Sequence, residues 1–238
     1  MRSLHIITPV KDSIDSTLNT IQAIMDSHIS VPHTYTVYND FSTPQNTQRL
    51  QEASDRLGFR LVNLSDLTTH PSPNYLLVLQ TAQQEALSQD AALLIVESDV
   101  TVAPHTLQEL YQGALQRPDC AIAAAVTTDE QGQINYPYLH ARGHENSVYP
   151  EKKHCSFCCS LLTPQFMGRY SFHQLDPNKN WYDVTISHEA LRLGFSNYLF
   201  TNLPVIHRPH SSRPWKQLKY TNPIKYYWLK FTKGLDKI

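Results

Sequence analysis

The sequence predicts an α/β fold in which a mixed, mainly parallel sheet is flanked by helices. Three observations predict it: strand-like and helix-like segments alternate, residues 91–96 form a continuous apolar run, and acidic residues directly follow that run. A strand that is apolar at every position is expected where a mainly parallel sheet is covered on both faces. At 238 residues, one such domain is favoured over two.

The individual elements follow from hydrophobic periodicity and from residues that start or stop helices and strands. Predicted strands cover residues 4–9, 35–38, 59–62, 91–96, 120–126 and 197–206. Predicted helices cover residues 13–27, 47–57, 75–89, 104–116 and 181–193. Gly58 ends the second helix and Pro104 starts the fourth. Residues 127–153 show no periodicity and predict a long loop, which in a compact domain is often functional.

Composition and the N-terminus narrow the class of protein. Four cysteines without the spacing of a disulfide framework indicate a reducing compartment. The apolar stretch at the N-terminus is too short for the core of a signal peptide. No uninterrupted apolar segment approaches the ~18 residues of a membrane span. We therefore expect a cytoplasmic protein that is free in solution or attached to the inner face of the membrane.

The last part of the chain differs in charge from the rest. Residues 208–238 carry eight Lys or Arg and one acidic residue, in a chain whose net charge is -1. Asn222 and Pro223 predict a helix start. The apolar residues of this helix fall on one stripe: Ile224, Tyr227, Trp228, Phe231 and Leu235. A basic helix with an aromatic stripe suits a membrane interface, and it suits equally a terminal helix that packs on the domain.

Two acidic residues directly follow the apolar run at residues 91–96. Glu97 and Asp99 flank Ser98, so in extended backbone both carboxylates point the same way, at the sheet edge where α/β folds bind ligands. Carboxylates there suit a divalent cation that bridges diphosphate oxygens. The alternative is a pair of solvated acids that cap the next helix. Asn39 and Asp40 suit contacts to a nucleobase or ribose, but taken alone they favour a turn or a helix N-cap.

These segments, in this order, resemble the family-2 glycosyltransferases of the GT-A fold. Residues 6–12 look like the family's first strand and the proline turn after it. Residues 37–47 resemble the pattern of a strand, two acids, Gly-Ser-Thr, an acid, Asn and Thr. Residues 93–100 resemble the strand and Asp-x-Asp metal motif, with glutamate in place of the first aspartate.

Two later segments extend the resemblance across roughly the first 207 residues. Tyr182 and Asp183, at the start of a predicted helix, look like the family's Glu-Asp motif. Residues 205–207, followed by Ser211, resemble the histidine element that closes the metal site. The sequence departs from the family pattern at four positions. Asn39 stands where an acid is usual and Phe41 where glycine is usual, Tyr182 replaces the glutamate of the Glu-Asp motif, and Glu189 stands where the family often has arginine.

The resemblance implies an inverting glycosyltransferase that transfers a sugar from a UDP- or GDP-sugar to a hydroxyl of a glycan or lipid-linked acceptor. Mg²⁺ or Mn²⁺ is the implied cofactor, and no nucleic-acid partner is expected. Asp183 would be the general base, Asp40 would contact the nucleobase, and Asp99, Glu97 and His207 would hold the metal. The implied donor-binding residues are Pro9, Asn39, Asp40, Asn74, Glu97, Ser98 and Asp99. Residues 1–207 would form the catalytic domain and residues 208–238 a C-terminal extension with possible membrane contact.

Two other functions fit parts of the sequence. A nucleotidyltransferase that forms sugar nucleotides has a related layout, but it usually carries a glycine-rich loop after the first strand, and residues 8–12 contain no glycine. A non-catalytic module that binds nucleotide sugars or glycans would fit the substitutions beside Asp40 and Asp183.

The histidines and cysteines raise two questions about metal binding: whether His207 is a metal ligand, and whether residues 154–159 form a zinc site. His207 suits a metal ligand, and it suits equally a strand-end histidine bound to backbone; His210 is the rival ligand. Residues 154–159 contain a Cys-x-x-Cys motif. A structural zinc site normally needs four ligands, and no matching second pair follows. The stretch continues through residues 160–163 with apolar and small residues, which favours a buried strand with small thiol side chains over a zinc site.

Overall fold

The computed structural model describes residues 3–208, 218 and 222–233, and confirms the alternation of strands and helices. The strands are β1 (Ser3–Val10), β2 (His33–Asn39), β3 (Arg60–Asn63), β4 (Ala91–Val96), β5 (Val100–Thr101), β6 (Cys120–Thr128), β7 (Val148–Pro150), β8 (Cys159–Leu162) and β9 (Ser196–His207). The helices are α1 (Ile14–Met25), α2 (Pro44–Leu57), α3 (Tyr75–Ser88), α4 (Thr106–Leu115), α5 (Pro164–Met167), α6 (Tyr182–Arg192) and α7 (Pro223–Lys233).

The strands within these ranges form one mixed sheet. Their order is β3-β2-β1-β4-β8-β6-β9-β5, and β7 pairs with β9. The strands β1, β2, β3 and β4 pair in parallel, as do β6 and β9. In contrast, β8 runs antiparallel between β4 and β6. Because β1, β2 and β4 are parallel, their carboxyl ends meet at one edge of the sheet, where ligands of α/β folds bind.

Helices cover both faces of the sheet. Every residue of β4 and β6 is buried, as their apolar sequences predict. Successive residues of β4 point to opposite faces, so that Leu94 packs in the core under α1, α2 and α4, and Leu93 packs in the core under α3, α5 and α6. The sheet is therefore a rigid support for the loops at its carboxyl edge.

Local signals place most helix ends close to the predicted positions. The hydroxyl of Thr43 accepts the N–H of Asn46 at the start of α2, and Gly58 ends this helix with a φ of 82°. The fourth helix starts at Thr106, two residues after the predicted Pro104, and His105 is its N-cap residue. The predicted loop at 127–153 also contains the end of β6, a 3-10 turn and β7.

The C-terminal helix starts where the sequence predicts. The side chain of Asn222 accepts the N–H of Lys225, which caps α7. Tyr226 is buried, whereas the predicted stripe is exposed at Ile224, Tyr227, Trp228 and Phe231. The stripe is thus not packed on the domain over the described part of the helix; Leu235 lies outside that part. Among the residues that the structure describes, no helix has the length and apolarity to cross a membrane.

Candidate functional site

A cavity of about 720 Å³ opens at the carboxyl edge of β1, β2 and β4. The lining residues include five of the predicted donor-binding residues: Pro9, Asp40, Glu97, Ser98 and Asp99. Asn39 and Asn74, the other two, are buried behind the cavity wall and are not among its lining residues. The crevice therefore lies where parallel strands predict it.

Backbone hydrogen bonds fix the turn that carries Glu97 and Asp99 from two sides. The N–H of Glu97 donates to the carbonyl oxygen of Cys158 over 2.9 Å, next to the ladder between β4 and β8. The N–H of Arg208 donates to the carbonyl oxygen of Asp99 over 2.9 Å, next to the ladder between β5 and β9. Three strand ends thus bring together four side chains: Glu97, Asp99, Cys158 and His207.

His207 is held in one orientation at the end of β9. Its Nδ1 lies 3.0 Å from the carbonyl oxygen of Tyr136, and its Nε2 lies 3.5 Å from Asp99 Oδ2. A carbonyl oxygen only accepts, so Nδ1 carries a proton and Nε2 faces the carboxylate. A backbone partner at one ring nitrogen is the usual support of a histidine that binds metal through the other. His210 and Ser211 lie outside the described residues.

Opposing effects set the protonation of His207. Burial acts to lower its pKa, but the hydrogen bond and charge of Asp99, together with the charge of Glu97, outweigh burial and raise the pKa. Without a cation, a protonated imidazole would therefore partly neutralise the two carboxylates.

Glu97, which is half-buried, and Asp99, which is buried, repel each other. Burial, followed by the charge of Asp99, raises the pKa of Glu97 to about 7, although the charge of His207 and the hydrogen bond from Cys158 act in the opposite direction. A divalent cation between the carboxylates would replace this repulsion by attraction. The charge distribution therefore fits a cation site.

Cys158 is a functional candidate that the sequence interpretation missed. Its thiol donates to Glu97 Oε2 over 3.3 Å, and ligand atoms of Glu97, Cys158 and His207 all lie within 4.8 Å of one another. The predicted buried strand begins only at Cys159, so Cys158 is the residue directly before β8. Burial raises the pKa of the Cys158 thiol well above its usual value. The thiol is therefore protonated and is a poor ligand for hard cations.

Asp40 ties the end of β2 to the segment before α3. Its carboxylate accepts the hydroxyl of Ser72 over 2.7 Å, the backbone N–H of Asn74 over 2.9 Å and the side-chain amide of Asn74 over 2.8 Å. A carboxylate offers about four lone-pair sites. One side of Asp40 thus remains able to accept a further donor at the cavity.

Asn39 forms its hydrogen bonds inside the protein. Its amide nitrogen donates to Thr47 Oγ1 over 3.0 Å and to Asn63 Oδ1 over 2.9 Å. Its Oδ1 accepts the N–H of Ser42 over 3.2 Å, which confirms the turn that Asn39 favours on its own. The N-cap of α2 is Thr43 instead.

Asp183 lies in the first turn of α6 and is half-buried. After burial, the charges of Glu97 and then Asp183 raise the pKa of Tyr75, a residue that lines the cavity. The same charge of Asp183 contributes to the raised pKa of Glu97. The ring of Tyr75 also lies 6.3 Å from that of Tyr182, at the start of α6. Asp183 is therefore within electrostatic reach of the carboxylates in the cavity.

Comparisons with known proteins show similarity in structure. No protein-family model matches the sequence, and no curated protein matches it either. The mannosyltransferase PcManGT from Pyrobaculum calidifontis, solved with GDP-Man and Mn²⁺, superposes with a TM-score of 0.65 at 14% identity over 99% of this chain. TarS from S. aureus superposes with a TM-score of 0.64 at 13% identity over 87% of this chain. GalNAc-T7, solved with UDP, GalNAc and Mn²⁺, superposes with a TM-score of 0.65 at 9% identity over 87%.

This chain spans 66%, 60% and 44% of the lengths of those three solved chains. Similarity at such low identity defines a fold. The order of strands, the helices on both faces and the acidic turn after β4 are all consistent with it. The chain has the GT-A fold of these glycosyltransferases.

Proposed function

We propose that the chain is a metal-dependent glycosyltransferase that transfers a sugar from a UDP- or GDP-sugar to a hydroxyl of a glycan or lipid-linked acceptor. One observation carries this proposal: Asp40, Glu97 and Asp99 line a single cavity, and His207 lies beside Asp99. Two solved proteins of the same fold contain Mn²⁺ together with GDP-Man or with UDP and GalNAc, which supports the choice of donor and metal.

Mg²⁺ or Mn²⁺ would be held by Asp99, Glu97 and His207. Oxygen ligands suit both cations, and an imidazole nitrogen suits Mn²⁺ as well. When bound, the cation stabilises the negative charge of the diphosphate leaving group. Pro9, Ser98 and Asp40 would contact the donor along the cavity, and Asp40 would accept an N–H of the base. Asn39 and Asn74 would contribute by fixing the loops on either side of Asp40.

Asp183 is the proposed general base. It would remove the proton from the acceptor hydroxyl while the acceptor oxygen bonds to the anomeric carbon and the bond to the diphosphate breaks. A single displacement of this kind inverts the configuration at that carbon. The position of Asp183 in the first turn of α6, close enough for its charge to act on Glu97, supports this role.

Residues 1–207 would form the catalytic unit, and α7 would bring it to the inner face of a membrane. The exposed stripe of α7 carries three aromatic side chains and Ile224. At about 100° per residue, Lys225 and Lys230 lie on either side of this stripe. Apolar residues towards the acyl chains and lysines towards anionic headgroups match an interfacial helix. Such a location favours a lipid-linked acceptor.

The proposal is tested by incubating the chain with UDP- and GDP-sugars, Mn²⁺ and an acceptor extract, and measuring release of nucleoside diphosphate. Asp99→Ala and Asp183→Ala should abolish release, whereas Asp55→Ala, on an exposed part of α2, should not change it. Undiminished turnover in both site variants rejects the assignment. Release of pyrophosphate from a nucleoside triphosphate would support a nucleotidyltransferase, and binding without turnover would support a binding module.

A further inference from the structure

Cys158 gives the cation site a soft ligand that the proposed transfer reaction does not use. It lies directly before β8, and the backbone bond from Glu97 to its carbonyl oxygen fixes it beside the acidic turn. Its sulfur is 3.3 Å from Glu97 Oε2 and 3.2 Å from Ser156 Oγ. Both the position and the direction of the thiol are thus set by the sheet.

One pair of these ligand atoms already has the separation found in a tetrahedral site. Zinc binds thiolate sulfur at about 2.3 Å and imidazole nitrogen at about 2.0–2.1 Å, so ligand atoms on a tetrahedral zinc lie roughly 3.3–3.7 Å apart. The sulfur of Cys158 and Oε2 of Glu97 already have this separation, and a ring nitrogen of His207 completes a trio of ligand atoms within 4.8 Å of one another. The fourth position would remain for water, for Asp99 or for a ligand oxygen.

We propose that the site has a second binding mode, in which Glu97, Cys158 and His207 bind Zn²⁺ or Co²⁺ directly. The thiol of Cys158 loses its proton to solvent as the sulfur–metal bond forms, and the two negative ligands then balance the charge of the cation. The thiolate is the ligand that selects Zn²⁺ over Mn²⁺ and Mg²⁺, which prefer oxygen ligands. The two modes are mutually exclusive because they share Glu97 and His207. Zn²⁺ therefore displaces the hard cation. It follows that Zn²⁺ inhibits sugar transfer, and this consequence rests on the proposed function.

Cobalt spectroscopy on the full chain tests the ligand set without any activity measurement. Co²⁺ should produce an intense near-ultraviolet charge-transfer band from sulfur, which Zn²⁺ removes on back-titration. Cys158→Ser should lack the band, whereas Cys159→Ala, which removes the neighbouring buried thiol, should keep it. Zn²⁺ affinity should fall at least about 100-fold in Cys158→Ser, while Mn²⁺ affinity should change less than about threefold.

Retained Mn²⁺ binding shows that Cys158→Ser is folded. A wild-type chain that binds Co²⁺ without the band, or a band that persists in Cys158→Ser, overturns the proposal. Failure of the proposed function is a separate result: no donor turnover with Mn²⁺, whatever the cobalt spectrum shows. If transfer does occur, Zn²⁺ should inhibit it in the wild type and much less in Cys158→Ser.

Discussion

Replacing Glu97 by glutamine should stabilise the metal-free protein. Burial and Asp99 raise the pKa of Glu97 from 4.5 to about 7, so the folded state binds its proton more tightly than the unfolded state does. The stability contributed by this proton is complete below pH 4.5 and is lost as the pH rises through 7. At about 1.4 kcal/mol per pKa unit, the carboxylate costs roughly 3 kcal/mol at pH 8 and less than about 1 kcal/mol at pH 5.

Glu97→Gln removes this charge and keeps an oxygen that accepts the Cys158 thiol. In EDTA, its free energy of unfolding should exceed that of the wild type by roughly 2–3 kcal/mol at pH 8, and by much less at pH 5. Urea unfolding at the two pH values measures both differences. Glu52→Gln, on the exposed surface of α2, is the matched control and should change neither value.

Mn²⁺ should reverse the order of the two proteins at pH 8. A ligand at 100 times its Kd stabilises a protein by about 2.7 kcal/mol, and the variant that lacks a carboxylate ligand should gain much less. A metal-free Glu97→Gln variant that is less stable than the wild type at pH 8, or equally more stable at pH 5 and pH 8, would show that the charge of Glu97 does not destabilise the fold.

Three further substitutions test other parts of the structure. Gly113→Ala should destabilise the chain by about 1–3 kcal/mol because its Cβ would collide with the ring of Phe200, and Gly113→Ala/Phe200→Leu should restore much of the loss in guanidinium unfolding. Asn39→Asp, which introduces the acid usual in the family, should cost about 1–3 kcal/mol in the same assay because it loses the amide donor to Asn63. Burial lowers the pKa of His5, so wild-type stability should fall as the pH drops below 6.5, and urea unfolding of His5→Gln should show a smaller fall.

The sequence predicts the parts of the site that lie next to their own strands. The apolar run of β4 and the acids after it are adjacent in the chain, so local periodicity is enough to place Glu97 and Asp99 at the edge of the sheet. The same argument places Asp40 after β2. All three line the cavity, as their positions in the sequence predict.

Cys158 and the contacts of His207 depend on pairings between distant segments. Cys158 reaches Glu97 only because β8 inserts antiparallel beside β4, 61 residues away in sequence from the acid that it contacts. His207 reaches Asp99 because the two-residue strand β5 pairs with the end of β9. Neither strand has a local pattern that specifies its partner. The Cys-x-x-Cys spacing suggests a separate zinc site, whereas only one cysteine of this motif, Cys158, contacts the carboxylates.

The positions of Glu97 and Asp99 in the fold explain why the repulsion between their carboxylates persists. Glu97 and Asp99 cannot move apart, because Glu97 is bonded through its backbone to β8 and Asp99 to the end of β9. Those strands pair with β4 and β6, in which every residue is buried, so separating the acids would disturb the core. The repulsion between the two carboxylates must therefore be reduced by binding a proton or a cation. Since a proton and a cation compete for the carboxylate of Glu97, cation binding should release protons below about pH 7, and affinity for the cation should rise with pH up to that value.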